Sequence, residues 1–321
     1  MTTTSRERRT WLFSILVLLT LGWFAVPYAS QDSANEGFIL FSTDRDNPDT
    51  NKVCPACEEI YIMRADGSEP TRITDNNYND KAPVWSHSKK LIAFHSNRNG
   101  GRPEVFLMNL DGMPPLLLAS LAPTNGAQFP SFSHNGNELC FNSQTMPREI
   151  YIVDVHGGGL TNLTNHPGDD FRCDWSPKGN DIVFSSNRDG NQEIYVMNAD
   201  GTEPVRLTTR PGDDVSPDWS PNADRIAFES NIDGNANIYV MNADGSAPQQ
   251  LTYFAGQDTK PSWSPTGDRI AFHRQTAGHL EIYTMNSDGS DQRQLTFSPP
   301  DAFSGFPSWG KWSAPSAGVI H

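Results

Sequence analysis

The sequence predicts an all-β fold: a six-bladed β-propeller of four-stranded antiparallel blades, its ring closed by the C-terminal strand joining the first blade. Three observations predict it. Four landmarks recur six times each, about 44 residues apart. Every repeat divides into four short strand-like segments. The repeat is also cut out of phase at its two ends. A period of 40–50 residues points to a propeller or a solenoid, and four strands per period select the propeller.

The first landmark is an aromatic at Trp85, Phe132, Trp175, Trp219, Trp263 and Trp309, at intervals of 43 to 47 residues. The second is the aromatic of an I-A-F segment: Phe41, Phe94, Phe141, Phe184, Phe228 and Phe272. The third is an I-Y pair beginning at Ile60, Val105, Ile150, Ile194, Ile238 and Ile282. The fourth is the glycine of a D-G turn: Gly67, Gly112, Gly157, Gly201, Gly245 and Gly289. The segments around these landmarks are rich in Val, Ile, Phe, Tyr and Thr, which suit a pleated, half-buried surface. S-P-x-G turns join the first strand to the second and N-A-D-G turns join the third to the fourth. No stretch after residue 36 carries a convincing 3.6-residue period.

The phase of the repeat predicts closure. The chain enters at an I-A-F-type strand, Ile39–Phe41, and leaves after a Trp strand, Phe306–Trp309. The last strand therefore becomes the innermost strand of the first blade, which leaves no long sheet edge open to pairing with another molecule. The six inner aromatics are read as core, since each ring hides about 150–250 Å² when wedged between neighbouring blades.

At the amino end, Arg6, Arg8 and Arg9 precede an apolar run from Trp11 to Val26 broken only by Ser14 and Thr20. That order reads as a secretory signal within residues 1–30, or as a membrane anchor if the run is not cleaved. Residues 31–36 follow as a linker, 37–312 as the propeller and 313–321 as a tail. The expected location is outside the cytoplasm, periplasmic or extracellular. The whole chain carries −14, and removing residues 1–30, with Arg6, Arg8, Arg9 and Glu7, leaves −16. A body that acidic repels phosphate backbones, so nucleic acid is not an expected partner.

Export sets the reading of the four cysteines. Cys54 and Cys57 form a C-x-x-C, read as a loop-closing disulfide in an oxidising compartment. A redox role would need a helix N-terminus beside it. A zinc role would need a second ligand pair. Cys140 and Cys173 are expected as small buried hydrophobes.

The repeat P-x-W-S-P-x-G-x-x-I-A-F-x-S-x-R-x-G-x-x-x-I-Y-x-M-N-x-D-G-x-x-x-x-x-L-T resembles the WD40-like repeat of the TolB β-propeller family, over roughly residues 37–312. The resemblance implies a propeller that binds protein partners in the bacterial envelope at one mouth of its central channel. Members of the TolB type carry an α/β domain ahead of the propeller, and the expectation is of a TolB-like propeller without one. Related propellers also gate peptidases, but G-x-S-x-G is absent, so a nucleophile-elbow serine hydrolase is unsupported.

The candidate site lies on the face where the inner strands begin. Five residues before the inner aromatic stand Asp80, Asp170, Asp214 and Asp258, with Ala127 and Ser304 in the other two blades. Asp169 and Asp213 add charge beside them. Four carboxylates around a channel mouth would seat a cation such as calcium, or a basic segment of a partner. The competing reading is that each Asp caps its own loop. His95 and His273 share one repeat position, but two histidines without a third make a poor metal site. The functional expectation is an exported, monomeric, non-catalytic propeller that binds an envelope protein or extracellular ligand. The alternative is a propeller enzyme, either a metal-dependent polysaccharide lyase or a peptidase-associated protein.

Overall fold

A computed structural model describes residues 37–46, 57–110, 114–118, 124–276, 278–300 and 302–311. The expectations placed on residues 1–36, on Cys54 and hence on the Cys54–Cys57 bridge, and on the 313–321 tail lie outside these. Six four-stranded antiparallel sheets are present, and the described residues contain no helix.

Each sheet is a blade. The inner strands are Asp80–Trp85, Ala127–Phe132, Asp170–Trp175, Asp214–Trp219, Gln257–Trp263 and Ser304–Gly310. The second strands carry the I-A-F segment, the third the I-Y pair, and each outermost strand is two residues long. The last inner strand, Ser304–Gly310, pairs antiparallel with Phe38–Thr43 of the first blade, with Ile39 opposite Trp309 and Thr43 opposite Ser304. The ring is closed as the phase of the repeat predicts.

The core sits between the blades. The six I-A-F phenylalanines are completely buried and the six inner aromatics nearly so. Trp175 packs with Cys140, Ile150 and Leu163 of the preceding blade as well as with its own Ile182 and Tyr195. Burying each phenylalanine contributes roughly 1.5–3 kcal/mol, so six of them account for why that landmark never varies.

Two further repeat features have local causes. The Gly201 of an N-A-D-G turn has φ of +86°, and a Cβ there would lie 2.7 Å from the Leu163 carbonyl oxygen of the neighbouring blade. Only glycine meets both demands. An L-T or I-T pair ends five of the six blades with a clasp: in the first, Thr74 Oγ1 accepts the Ile60 N–H at 2.9 Å and donates to Glu59 Oε2 at 2.6 Å. The same threonine bond recurs at Ile150, Ile194, Ile238 and Ile282.

One expectation is corrected. Cys140 and Cys173 are not separate buried thiols; they form a disulfide with Cα atoms 6.3 Å apart. Cys140 stands where three other second strands have the alanine of I-A-F and two have Leu40 and Val183, and Cys173 where five inner strands have proline. The two positions meet across the interface between the third and fourth blades, where their Cα separation is within bonding reach. The bond staples the third blade to the fourth, and closing its 33-residue separation restricts the unfolded chain by about 3–4 kcal/mol.

Closure gives a direct prediction. A chain ending at Ala302 loses the inner strand of the first blade and exposes the Phe38–Thr43 edge. Its thermal midpoint should fall by roughly 10 °C or more, with association through the bare edge. A monodisperse truncation melting where the full chain melts contradicts closure as a stabilising element.

Candidate functional site: the central channel

Every inner strand contains the same irregularity. In the second blade the pairing runs from Lys81 opposite His95 to Val84 opposite Ala93, so the inner strand gains one residue on its partner. The other five inner strands shift register at the same place. The bulged residue lies three before the inner aromatic and has positive φ each time: Ala82 (48°), Phe129 (54°), Arg172 (56°), Ser216 (57°), Lys260 (55°) and Phe306 (53°). None is glycine and none is β-branched. Such backbone costs of the order of 1–3 kcal/mol per residue unless its surroundings impose it.

What imposes it is the preceding blade. The bulged N–H donates to the side chain that follows the I-A-F aromatic one blade earlier. Ala82 donates to Ser42 Oγ at 3.1 Å, Arg172 to Asn142 Oδ1 at 3.3 Å, and Ser216 to Ser185 Oγ at 3.1 Å. Phe129 and Phe306 donate to the Nδ1 atoms of His95 and His273 at 3.5 and 3.4 Å. At the remaining interface Glu229 holds the Lys260 ammonium at 3.0 Å instead. A second ring of bonds lies two residues on: Ser131, Asp174, Asp218 and Ser262 accept the N–H of Trp175, Trp219, Trp263 and Trp309 in the next blade, at 2.7 to 3.3 Å.

These bonds assign His95 and His273. Both are buried, and each must present a bare Nδ1 to an amide, which requires the neutral ring with its proton on Nε2. Burial, with the positive charge of Lys81 and Arg172 nearby, pushes the His95 pKa down to about 3. Burial, with Lys260 and Arg172, holds His273 well below the usual imidazole value. They are interblade acceptors standing where other blades use Ser or Asn.

The four recurrent aspartates do not converge. Asp80, Asp170, Asp214 and Asp258 are each completely buried in a different blade and bonded to a different arginine. Arg98 holds Asp80 at 2.6 Å, Arg188 holds Asp170 at 3.0 Å, and Arg274 grips Asp258 with two bonds of 2.7 Å. Arg210 lies 3.4 Å from Asp214, and burial raises that carboxyl's pKa. Each arginine also lies over the two aromatics of its blade, as Arg188 does over Phe184 and Tyr195 at 5.2 and 4.8 Å. A shared calcium ion needs its oxygens within about 2.3–2.6 Å of one point. Among the described residues no group of three or more His, Cys, Asp or Glu side chains could hold a metal ion. In these four blades the Asp expected to seat a cation or a basic partner segment is half of an Asp–Arg–aromatic cluster inside its own blade. Asp169 and Asp213 serve loops, accepting the N–H of Arg148 at 2.8 Å and of Gln192 at 3.0 Å.

What lines the channel is the bulge itself, with the two residues after it. The bulged tier is basic and aromatic. Arg172 lies over the Phe129 ring at 3.7 Å and reaches within 5.9 Å of the Phe306 ring. Lys260 bonds Ser216 Oγ at 2.8 Å as well as Glu229, and burial lowers its pKa to about 8. The next channel-facing tier holds Val84, Ser131, Asp174, Asp218, Ser262 and Ser308. Burial raises the Asp174 carboxyl to about 6 and Asp218 well above the ordinary value. Beyond it a cavity of about 300 Å³ opens among the inner aromatics toward the other face. The bulged channel residues lay outside the sequence reading because they vary among the repeats, with only Phe occurring twice.

A family model, one relative and two solved structures are similar to this chain. The TolB beta propeller domain matches residues 102–214 and 208–311. The Tol-Pal system protein TolB of Bordetella pertussis is 27% identical over 133 residues, which is 41% of this chain and 30% of that protein. The chain thus matches under a third of that relative's length. The crystal structure of TolB from Acinetobacter baumannii superposes with a TM-score of 0.74 at 23% identity, covering 86% of this chain and 67% of that one. The structure of a putative TolB from Agrobacterium tumefaciens gives 0.65 at 22% identity, covering 84% and 96%. At those identities the two structures attest the fold.

The histidine assignment predicts a pH dependence. The folded pKa of His95 lies below its ordinary 6.5, so the unfolded chain takes up the proton first. The stability tied to this site is complete above pH 6.5 and is lost as pH falls toward 3. Asp174, raised from 3.8 to about 6, acts with opposite sign between those two values. The His95→Asn variant keeps an acceptor but cannot titrate. Between pH 6.5 and 4.5 it should lose about 2 kcal/mol less stability than the parent, from 1.36 kcal/mol per pH unit per proton. Urea unfolding at the two pH values checks this, and equal losses in parent and variant contradict it.

Proposed function

Because the chain belongs to the TolB β-propeller family, we propose that it is an exported, non-catalytic propeller that binds a protein partner of the bacterial envelope through the channel mouth where the inner strands begin. The observation that carries this reading is the distribution of differences among the six repeats. Positions that build blades are nearly uniform: the I-A-F phenylalanine, the inner aromatic, the turn glycine and the clasp threonine. The bulged channel position is Ala, Phe, Arg, Ser, Lys and Phe. Six copies with one backbone geometry and divergent side chains make an asymmetric surface from a symmetric frame, which recognition of a single partner requires.

The rim of that face supports the reading. Tyr78, Tyr253 and Phe297 are among the most exposed large apolar side chains, and each lies in a loop leading into an inner strand. Exposed aromatics around a recess are the usual anchors of protein interfaces. Export rests on the basic, then apolar, order of residues 6–26, and an envelope partner on the kinship with a Tol-Pal system protein.

Site-specific photo-cross-linking tests the assignment of the face. Benzoylphenylalanine at Tyr253, on the proposed face, should yield an adduct with an envelope protein in cells expressing the full chain. The same probe at Lys178, exposed in a turn at the opposite end of the inner strands, should not. Adducts of equal yield at both positions, or at Lys178 alone, contradict the proposal.

A further inference from the structure

The bulged tier contains more positive charge than the fold uses. Lys260 is matched by Glu229. Arg172 is not matched. Its backbone N–H is bonded to Asn142, but its guanidinium rests on the face of Phe129 and, among the described residues, makes no ion pair. The carboxylate whose charge acts on it, Glu229 of the fifth blade, is bonded to the Lys260 ammonium at 3.0 Å, and Asp174 and Asp218 are committed to the Trp219 and Trp263 amides one tier further on. Burial lowers the Arg172 pKa to about 10, a sign that its charge is poorly compensated where it stands. This occurs in a protein whose formal charge is −14.

The geometry is that of a receptor. Stacking on Phe129 fixes the guanidinium plane and leaves its N–H edge, a planar fork of donors, open in the channel. Arg172 and Lys260 line the same recess, on the fourth and sixth blades, with the small Ser216 of the fifth between them. Phe306 closes the opposite side, 5.9 Å from Phe129. A group bound there meets two cations, an apolar wall and little water, conditions in which charge-assisted bonds are strong.

We infer that the Arg172 tier of the channel is a carboxylate-binding site, taking one carboxylate in two parallel bonds at Arg172 with the Lys260 ammonium as its second cation. This rests on the reading of the channel mouth as the binding face and adds the chemistry of the ligand: an acidic group that enters the channel, carried by a partner polypeptide or by a small organic acid.

The probes are N-acetyl-glutamate methylamide and its glutamine counterpart, which differ only in the carboxylate, together with succinate and its diamide, each titrated calorimetrically into the full chain. The acidic member of at least one pair should bind tenfold or more tighter than its amide. Discrimination for the glutamyl probe assigns the site to an acidic polypeptide residue; discrimination for succinate alone assigns it to small acids. Arg172→Gln should remove the discrimination and Arg172→Lys should keep part of it, with the thermal midpoint of each variant confirming that it folds. Equal binding of acid and amide in both pairs, or discrimination that survives in Arg172→Gln, overturns the inference. The cross-linking result at Tyr253 does not depend on ligand charge. An adduct there with no acid preference removes the carboxylate site and leaves the binding face. An acid preference without an adduct does the reverse.

Discussion

The structure depends on a bulge whose amide is bonded by the neighbouring blade. Each inner strand takes one extra residue in the left-handed region, and at five of the six interfaces the preceding blade stabilises it by accepting the freed N–H, while at the sixth Glu229 holds the Lys260 ammonium. Adjacent blades are thereby joined by directional bonds as well as by apolar contact. The device reaches round to Phe306, bonded to His273 across the closing interface. Every interface of the ring carries such a directional bond, five to the bulge amide and one to the Lys260 ammonium.

The same bulge gives the channel its chemistry. Turning the residue toward the axis places six side chains in one tier, while the bonds that stabilise the tier come from the backbone. Where the amide is bonded, side-chain identity at this position is free of the fold; Lys260, whose ammonium is held by Glu229, is the exception. The acceptor position is constrained only to present a lone pair, which Ser, Asn and neutral His all do. The low pKa values of His95 and His273 follow first from burial and then from nearby cations, Lys81 and Arg172 for the one, Lys260 and Arg172 for the other. Two histidines at one repeat position are thus a consequence of the frame.

Much of the frame was legible in the sequence because burial at fixed intervals leaves a periodic trace. The Trp, I-A-F, I-Y and D-G landmarks located the blades, and the out-of-phase ends located the closing strand. The recurrence of Asp80, Asp170, Asp214 and Asp258 was visible, but its cause was not. The arginines that hold them come from the loop after the second strand (Arg98, Arg188), from the loop after the outermost strand (Arg210) and from the second strand itself (Arg274), so no fixed spacing links the partners. The Cys140–Cys173 bond was hidden likewise, since it joins two different repeat positions in consecutive blades. Left-handed backbone at Arg172 or Lys260 has no sequence signature, because no glycine marks it.

The interblade amide bonds are the claim on which the rest stands, and hydrogen exchange reads them one at a time. The Trp219 amide is bonded to Asp174 Oδ2 at 2.8 Å, and the Trp263 amide to Asp218 Oδ2 at 2.7 Å. In the Asp174→Ala variant, under conditions where the ring remains folded, protection of the Trp219 amide should fall by about 10- to 100-fold, the equivalent of one lost bond to a charged acceptor at 1.5–3 kcal/mol. Protection at Trp263 should be unchanged. If Trp219 exchanges as slowly as in the parent, or if both amides accelerate together, the blades are held by packing alone and the account given for the interblade bonds is wrong.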